Sequence, residues 1–156
     1  AVACLRCSYP HTMPYRICKI FSVENGHILS KHPGKCRFPH GHSRRVEVVV
    51  EADTLDENDM VCDFSRVSAL IKDFIDSFDH AMCLNTADPH YPLYRAAYER
   101  VVPFQNQDPT SELMAKRIFD YLREALEKSP EDLARRVRVC RIRMHETGSS
   151  WAEYEA

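Results

Sequence analysis

The chain has 156 residues, 44% of them hydrophobic, enough for one domain whose core needs no disulfide staples. Its formal net charge is -2 and its Lys and Arg residues are spread along the chain, which argues against nucleic acid as the main partner. No apolar run is long enough for a bilayer, the N-terminal stretch lacks a signal-peptide pattern, and seven irregularly spaced cysteines suit a reduced, cytoplasmic protein better than a disulfide framework.

Residues 1–14 read as an N-terminal arm ahead of a single domain over 15–156. Cys4 and Cys7 in the arm form a CxxC, a weak zinc signal because no second pair follows. From Tyr15, "YRICKIFSVENGH" is strand-like: Ile17, Phe21 and Val23 share one parity and His27 closes it. A loop with Pro33, Gly34 and Pro39 comes next. "SRRVEVVVEAD" then alternates, with Val46, Val48 and Val50 on one face and Arg45, Glu47 and Glu51 on the other. His40 and His42 share the parity of the valines, so a strand that starts early enough turns both imidazoles to its apolar side.

"TLDEND" reads as a polar turn. In "DFSRVSALIKDFIDSF", Phe64, Val67, Ile71, Phe74, Ile75 and Phe78 recur at helical spacing, with Asp63 as N-cap. Residues 86–108, with their prolines and aromatics, are expected to form a long loop. A second helix opens at "DPTSE", capped by Asp108 or Thr110 with Pro109 tolerated in the first turn, and carries the stripe Met114, Ile118, Leu122 and Leu126. Two short strands close the chain, "VRVCRIRMHE" and "SSWAEYE". Apolar parity shifts between Val139 and Cys140, which predicts a bulge. The basic run "RRVRVCRIR" over 135–143 reads as a strand with a solvated face. The order β-β-α-α-β-β predicts an α+β domain: an antiparallel four-stranded sheet with two helices packed on one face.

The chemistry centres on "GKCRFPHGHS". A catalytic zinc needs about three protein ligands and an open position. His40 and His42 sit two apart on a predicted strand, and His27 ends its neighbour, so all three can converge across a hairpin. Cys36 is open to three readings: a fourth zinc ligand, a small core residue, or a reactive thiol favoured as thiolate by Lys35 and Arg37. Asp79 and His80 form a proton-transfer pair only if the chain turns there; otherwise His80 is a cation at a helix C-terminus. Glu146 is either a solvated strand end or a carboxylate that holds a cyclic, guanidine-like edge through two parallel hydrogen bonds.

In this order and spacing, His27, "KCRFPHGHS", the turn before "MVCDF", "DHAMCLN", "PTSE" and "ETGSSWAEY" resemble the 6-pyruvoyl-tetrahydropterin synthase family, including its 6-carboxy-tetrahydropterin synthase branch. The resemblance implies the tunnelling fold, with sheets of neighbouring protomers joined into a barrel, and a homohexamer (a dimer of trimers) with inter-subunit active sites. It implies Zn2+ on His27, His40 and His42. Cys36, Asp79 and His80 would be catalytic, Glu146 would anchor the pterin, and Thr110, Ser111 and Glu112 would help to hold it. The implied substrate is a pterin triphosphate, 7,8-dihydroneopterin triphosphate. The spacing CxxxHGH is similar to that of the carboxy-forming branch, which releases triphosphate and acetaldehyde on the deazapurine (queuosine) route; the pyruvoyl-forming reaction is the alternative. A non-catalytic zinc-binding paralogue of the same fold is a further reading. "ENG" before His27 departs from the small apolar residues that the family prefers there, and the 86–108 segment is longer than usual.

Overall fold

The structure, a computed structural model, describes residues 13–156. Cys4, Cys7 and most of the expected N-terminal arm lie outside the described residues. Two long strands form the centre: β1, Tyr15–His27, and β2, His40–Ala52, run antiparallel in unbroken register from Tyr15 opposite Ala52 to His27 opposite His40. Their shared inner parity buries Val23, Val46, Val48 and Val50, and it carries His27, His40 and His42 to the end of the same face.

Helix α1, Phe64–Asp76, begins where the Asp63 carboxylate accepts the Ser65 amide at 2.7 Å. Its stripe Val67, Ile71 and Ile75 is buried, whereas Phe64, which the same spacing places with them, is 49% exposed in the first turn. Strand β3, Met82–Asn85, helix α2, Tyr91–Ala97, and strand β4, Val101–Phe104, come next. Helix α3, Ser111–Glu127, is capped by Thr110, and it buries Met114, Ile118, Leu122 and Leu126. A short helix α4, Glu131–Ala134, leads into β5, Arg138–His145, and β6, Trp151–Glu155. Helices α1 and α3 share one core with the inner faces of β1, β2 and β5. Each large aliphatic side chain buried there contributes about 1.5–3 kcal/mol.

The sheet has six strands in the order β4-β3-β1-β2-β5-β6, and it is mixed. This corrects the expected antiparallel four-stranded sheet: β3 pairs in parallel with β1, and β4 in parallel with β3. It also corrects the expected loop over 86–108, which holds α2 and β4. Both strands have four residues, too few for a period-two pattern to stand out. Pro103 argued against a strand, yet it lies in β4 at the sheet edge, where no ladder partner needs its missing N–H. The bulge is where the parity shift placed it: Val49 faces Arg141 and Val50 faces Val139, so Cys140 is the extra residue.

On the opposite face of the sheet the basic run is ion-paired. Arg138 reaches Glu51 and Asp53, and Arg143 reaches Glu153. Among the described residues no helix is long and apolar enough to cross a membrane.

Candidate metal and active site

Three imidazoles meet at the inner end of β1 and β2. His27 Nε2 lies 3.0 Å from His40 Nε2, and the ring centroids of the three histidines are 4.4 to 5.2 Å apart. Gly41, between His40 and His42, is needed for the strands to close here, because a Cβ there would meet the Asn25 carbonyl oxygen at 3.0 Å.

The backbone fixes which nitrogen faces inward. His27 Nδ1 donates to the Pro109 carbonyl at 2.9 Å, and His40 Nδ1 donates to the Phe38 carbonyl at 2.8 Å. Both Nδ1 protons are thus committed, and the Nε2 lone pairs are turned toward one another. Two such acceptors at 3.0 Å repel unless a proton or a metal ion lies between them. His42 Nε2 is buried without a hydrogen-bond partner; it lies 3.0 Å from Glu146 Oε1, but not in line for a bond. Burial, then the charge of Arg44, pushes the His42 pKa down, which keeps its ring neutral as a ligand must be. Ligand atoms of His27, His40, His42 and Glu146 all lie within 4.8 Å of one another. An orphaned nitrogen, two oriented imidazoles and a carboxylate are a donor set that suits zinc.

Glu146 enters from the end of β5, where its amide donates to the Ser150 carbonyl at 2.9 Å. Contact with His27 draws its carboxyl down; burial opposes this, Arg44 adds to it, and the outcome is about 2. Its Oε2 accepts from Ser111 Oγ at 3.1 Å. Thr110 is occupied in capping α3, and Glu112 is exposed.

Arg44 was missed by the sequence reading. It is 1% exposed and lies under the histidines on the same parity as His40 and His42. A charged residue on an otherwise apolar parity was the available signal. Its Nε donates to Asn25 Oδ1 at 2.8 Å and its Nη1 to Ser111 Oγ at 2.7 Å. Asn25, singled out as a departure beside His27, is therefore the buried partner of Arg44.

The Asp79–His80 turn does form. His80 takes a left-handed φ of 51°, which folds its ring back so that Nδ1 donates to Asp79 Oδ2 at 2.7 Å. The other Asp79 oxygen accepts the Glu24 amide at 2.8 Å, and the His80 amide returns a bond to the Glu24 carbonyl at 2.6 Å. The Glu24 amide, then His80, holds the Asp79 carboxyl below its usual range. His80 and His42 line one cavity of about 1040 Å3, together with Tyr94, Tyr98 and Arg100. Cys36 is half-buried in a 3-10 turn, Lys35–Arg37; it belongs neither to the ligand group nor to the lining of that cavity. Cys83, by contrast, is a core thiol that burial pushes up to about 12.

The family model described as 6-pyruvoyl tetrahydropterin synthase matches residues 16–156. The chain is 34% identical to the 6-carboxy-5,6,7,8-tetrahydropterin synthase of Aquifex aeolicus, over 92% of this chain and 99% of that protein. It is 30% identical to the enzyme of the same name from Haemophilus influenzae, over 90% and 99% respectively. An uncharacterized protein from Wolinella succinogenes shares the fold at a TM-score of 0.73 and 25% identity, over 92% of this chain and 98% of that one. Plasmodium vivax 6-pyruvoyltetrahydropterin synthase aligns at a TM-score of 0.69 and 16% identity, over the same shares, a likeness of fold alone.

Proposed function

The chain belongs to the 6-pyruvoyl tetrahydropterin synthase family, and from that premise we propose that it is a zinc-dependent lyase of the 6-carboxy-tetrahydropterin branch. It converts 7,8-dihydroneopterin triphosphate to 6-carboxy-5,6,7,8-tetrahydropterin, with release of triphosphate and acetaldehyde, as in the queuosine route. The observation that carries this reading is the convergence of three Nε2 atoms, two of them oriented by backbone carbonyls, beside a carboxylate. Two enzymes of that name, nearly fully covered, support the choice of branch.

His27, His40 and His42 would hold the ion, whose contribution when bound is Lewis acidity toward the substrate's side-chain hydroxyls. Glu146, an anion at neutral pH, accepts two parallel hydrogen bonds from the pterin's guanidine-like edge. Ser111 steadies that carboxylate. Cys36, between Lys35 and Arg37, removes a side-chain proton, and His80 moves a second proton with Asp79 fixing its ring.

We place these groups in one site through assembly. His80 has a side chain that is 74% exposed, Cys36 sits apart from the cavity that His80 lines, and α1 and α3 share their core with the inner sheet face, away from the charged one. These features support a homohexamer of two trimers whose active sites lie between protomers. The chain is expected to be cytoplasmic, as a single domain over 15–156.

Mass spectrometry of the products from dihydroneopterin triphosphate and the zinc-loaded protein tests the reading. A 6-carboxy pterin with acetaldehyde is expected. A pyruvoyl product would move the protein to the other branch, and absence of turnover with zinc bound would refute the lyase.

A further inference from the structure

Glu146 stands between two claims. On one side Ser111 Oγ donates to its Oε2 at 3.1 Å, and Arg44 Nη2 lies 3.5 Å from its Oε1. On the other side the same Oε1 is 3.0 Å from His42 Nε2 and 3.4 Å from His27 Nε2, among the nitrogens that would hold the ion. Three imidazoles and one carboxylate make a complete four-coordinate zinc set, and a complete set is a structural site with no place for substrate. Because all four ligand atoms lie within 4.8 Å of one another, nothing in their spacing prevents that closure.

The guanidinium of Arg44 is placed to prevent it. It keeps its charge in the core, and Asn25 and Ser111 fix its plane through Nε and Nη1. That leaves Nη2 3.5 Å from Glu146 Oε1 and 3.3 Å from both ring nitrogens of His27. Since Arg44 also grips Ser111, the bond from Ser111 to Glu146 hangs on the same guanidinium. Both protein contacts that compete with the imidazole cluster for Glu146 therefore run through one side chain, Ser111 on Oε2 and Arg44 Nη2 on Oε1 itself. A fixed cation beside the ligand nitrogens also balances the carboxylate, so a bound ion would keep its full charge for polarising substrate.

We propose that Arg44 is a positioning residue that holds Glu146 out of the metal's coordination shell, so that the His27–His40–His42 site stays open and Glu146 stays free for the substrate. This rests on the reading of the site as a metal-dependent pterin centre. It adds that the open position is defended by a buried cation rather than by distance.

The test is a double-mutant cycle on metal affinity, read by competition with a chromophoric chelator, in Arg44→Met, Glu146→Gln and the combined variant. Arg44→Met should bind zinc about tenfold or more tightly, the equivalent of one charged hydrogen bond redirected to the ion. That gain should vanish when Glu146 is already Gln. In the cobalt-substituted forms, 7,8-dihydroneopterin should perturb the absorption spectrum of the wild type and leave that of Arg44→Met unchanged. If Arg44→Met does not fold, Ser111→Ala, which cuts the second hold, should shift affinity in the same direction by a smaller factor. An equal gain in both Glu146 backgrounds would show that Arg44 only repels the ion, and would overturn the proposal. So would weaker or unchanged binding in the folded variants. Failure of the pterin reading itself would appear separately, as a wild type that binds zinc but turns nothing over.

Discussion

Replacing Asp108 tests how the loop that carries Cys36 is held. Its carboxylate is buried, and it accepts from Ser30 Oγ at 2.7 Å, from the Lys31 amide at 2.7 Å and from Asn85 Nδ2 at 2.8 Å. It thus ties the segment after β1 to the end of β3 and to the entrance of α3. The tie reaches Cys36, because the Leu29 amide donates to the Cys36 carbonyl at 3.0 Å. A hydrogen bond to a charged acceptor contributes about 1.5–3 kcal/mol, and three of them are not additive. In Asp108→Ala the Ser30 hydroxyl and the Lys31 amide are near enough to the surface to regain water, while Asn85 is 1% exposed and its Nδ2 keeps only a long contact of 3.5 Å to Ser30 Oγ. A loss of about 3 kcal/mol follows, or about 6–12 °C in Tm for a chain of this length. Asp108→Asn keeps one acceptor and should lose about half as much.

The pH dependence has a definite sign. Burial would raise the Asp108 carboxyl, but the bonds from Asn85, Lys31 and Ser30 outweigh it, and its pKa lies below the ordinary value. The folded state therefore binds the proton less readily than the unfolded chain, whose Asp titrates near about 3.9. The stabilisation is complete above that value and is lost as the pH falls through the folded value. Thermal unfolding against pH, with hydrogen exchange at the Lys31 amide, is the assay. Asp108→Asn should flatten the acid limb, and Asp108→Ala should expose the Lys31 amide. A stability loss under about 1 kcal/mol with Lys31 still protected would refute the reasoning.

Three further outcomes are expected. His42→Ala removes one of three ligands, and should weaken zinc binding at least about hundredfold in the chelator titration while the fold, read by circular dichroism, persists. Cys36→Ala should retain zinc at one per chain but lose about a thousandfold in kcat, since proton transfer by a positioned side chain supplies factors of this size. Full activity in that variant would exclude Cys36 as the base. Asp79→Asn frees the ring that the left-handed turn folds back, and should lower kcat about a hundredfold and move the pH-rate profile with little change in KM.

Much of the frame was legible because it rests on long periodic elements. The 13-residue strands β1 and β2 give parity enough repeats to place His27, His40 and His42 on one face with the valines. Asp63 and Thr110 cap as their residue types predict, and the parity shift at Cys140 is a bulge. The parallel pairing of β3 and β4 was not legible, because four residues are too few to establish an alternation. Nor could spacing bring Ser111 and Glu146 to the histidines: these residues stand 35 apart from one another, on a helix N-terminus and a strand end, and the family resemblance alone joined them. Arg44 went unnoticed between two correctly read patterns. Its parity marked it as inward, while its charge suggested the solvated face.

The central claim is that the imidazole cluster is a working metal centre. Its most direct test is acetaldehyde release from dihydroneopterin triphosphate by chelator-stripped protein, followed as zinc is restored. The account predicts no release from the stripped protein and activity that rises linearly to one zinc per chain. Release at an unchanged rate without metal, or full zinc occupancy with no release, would contradict it.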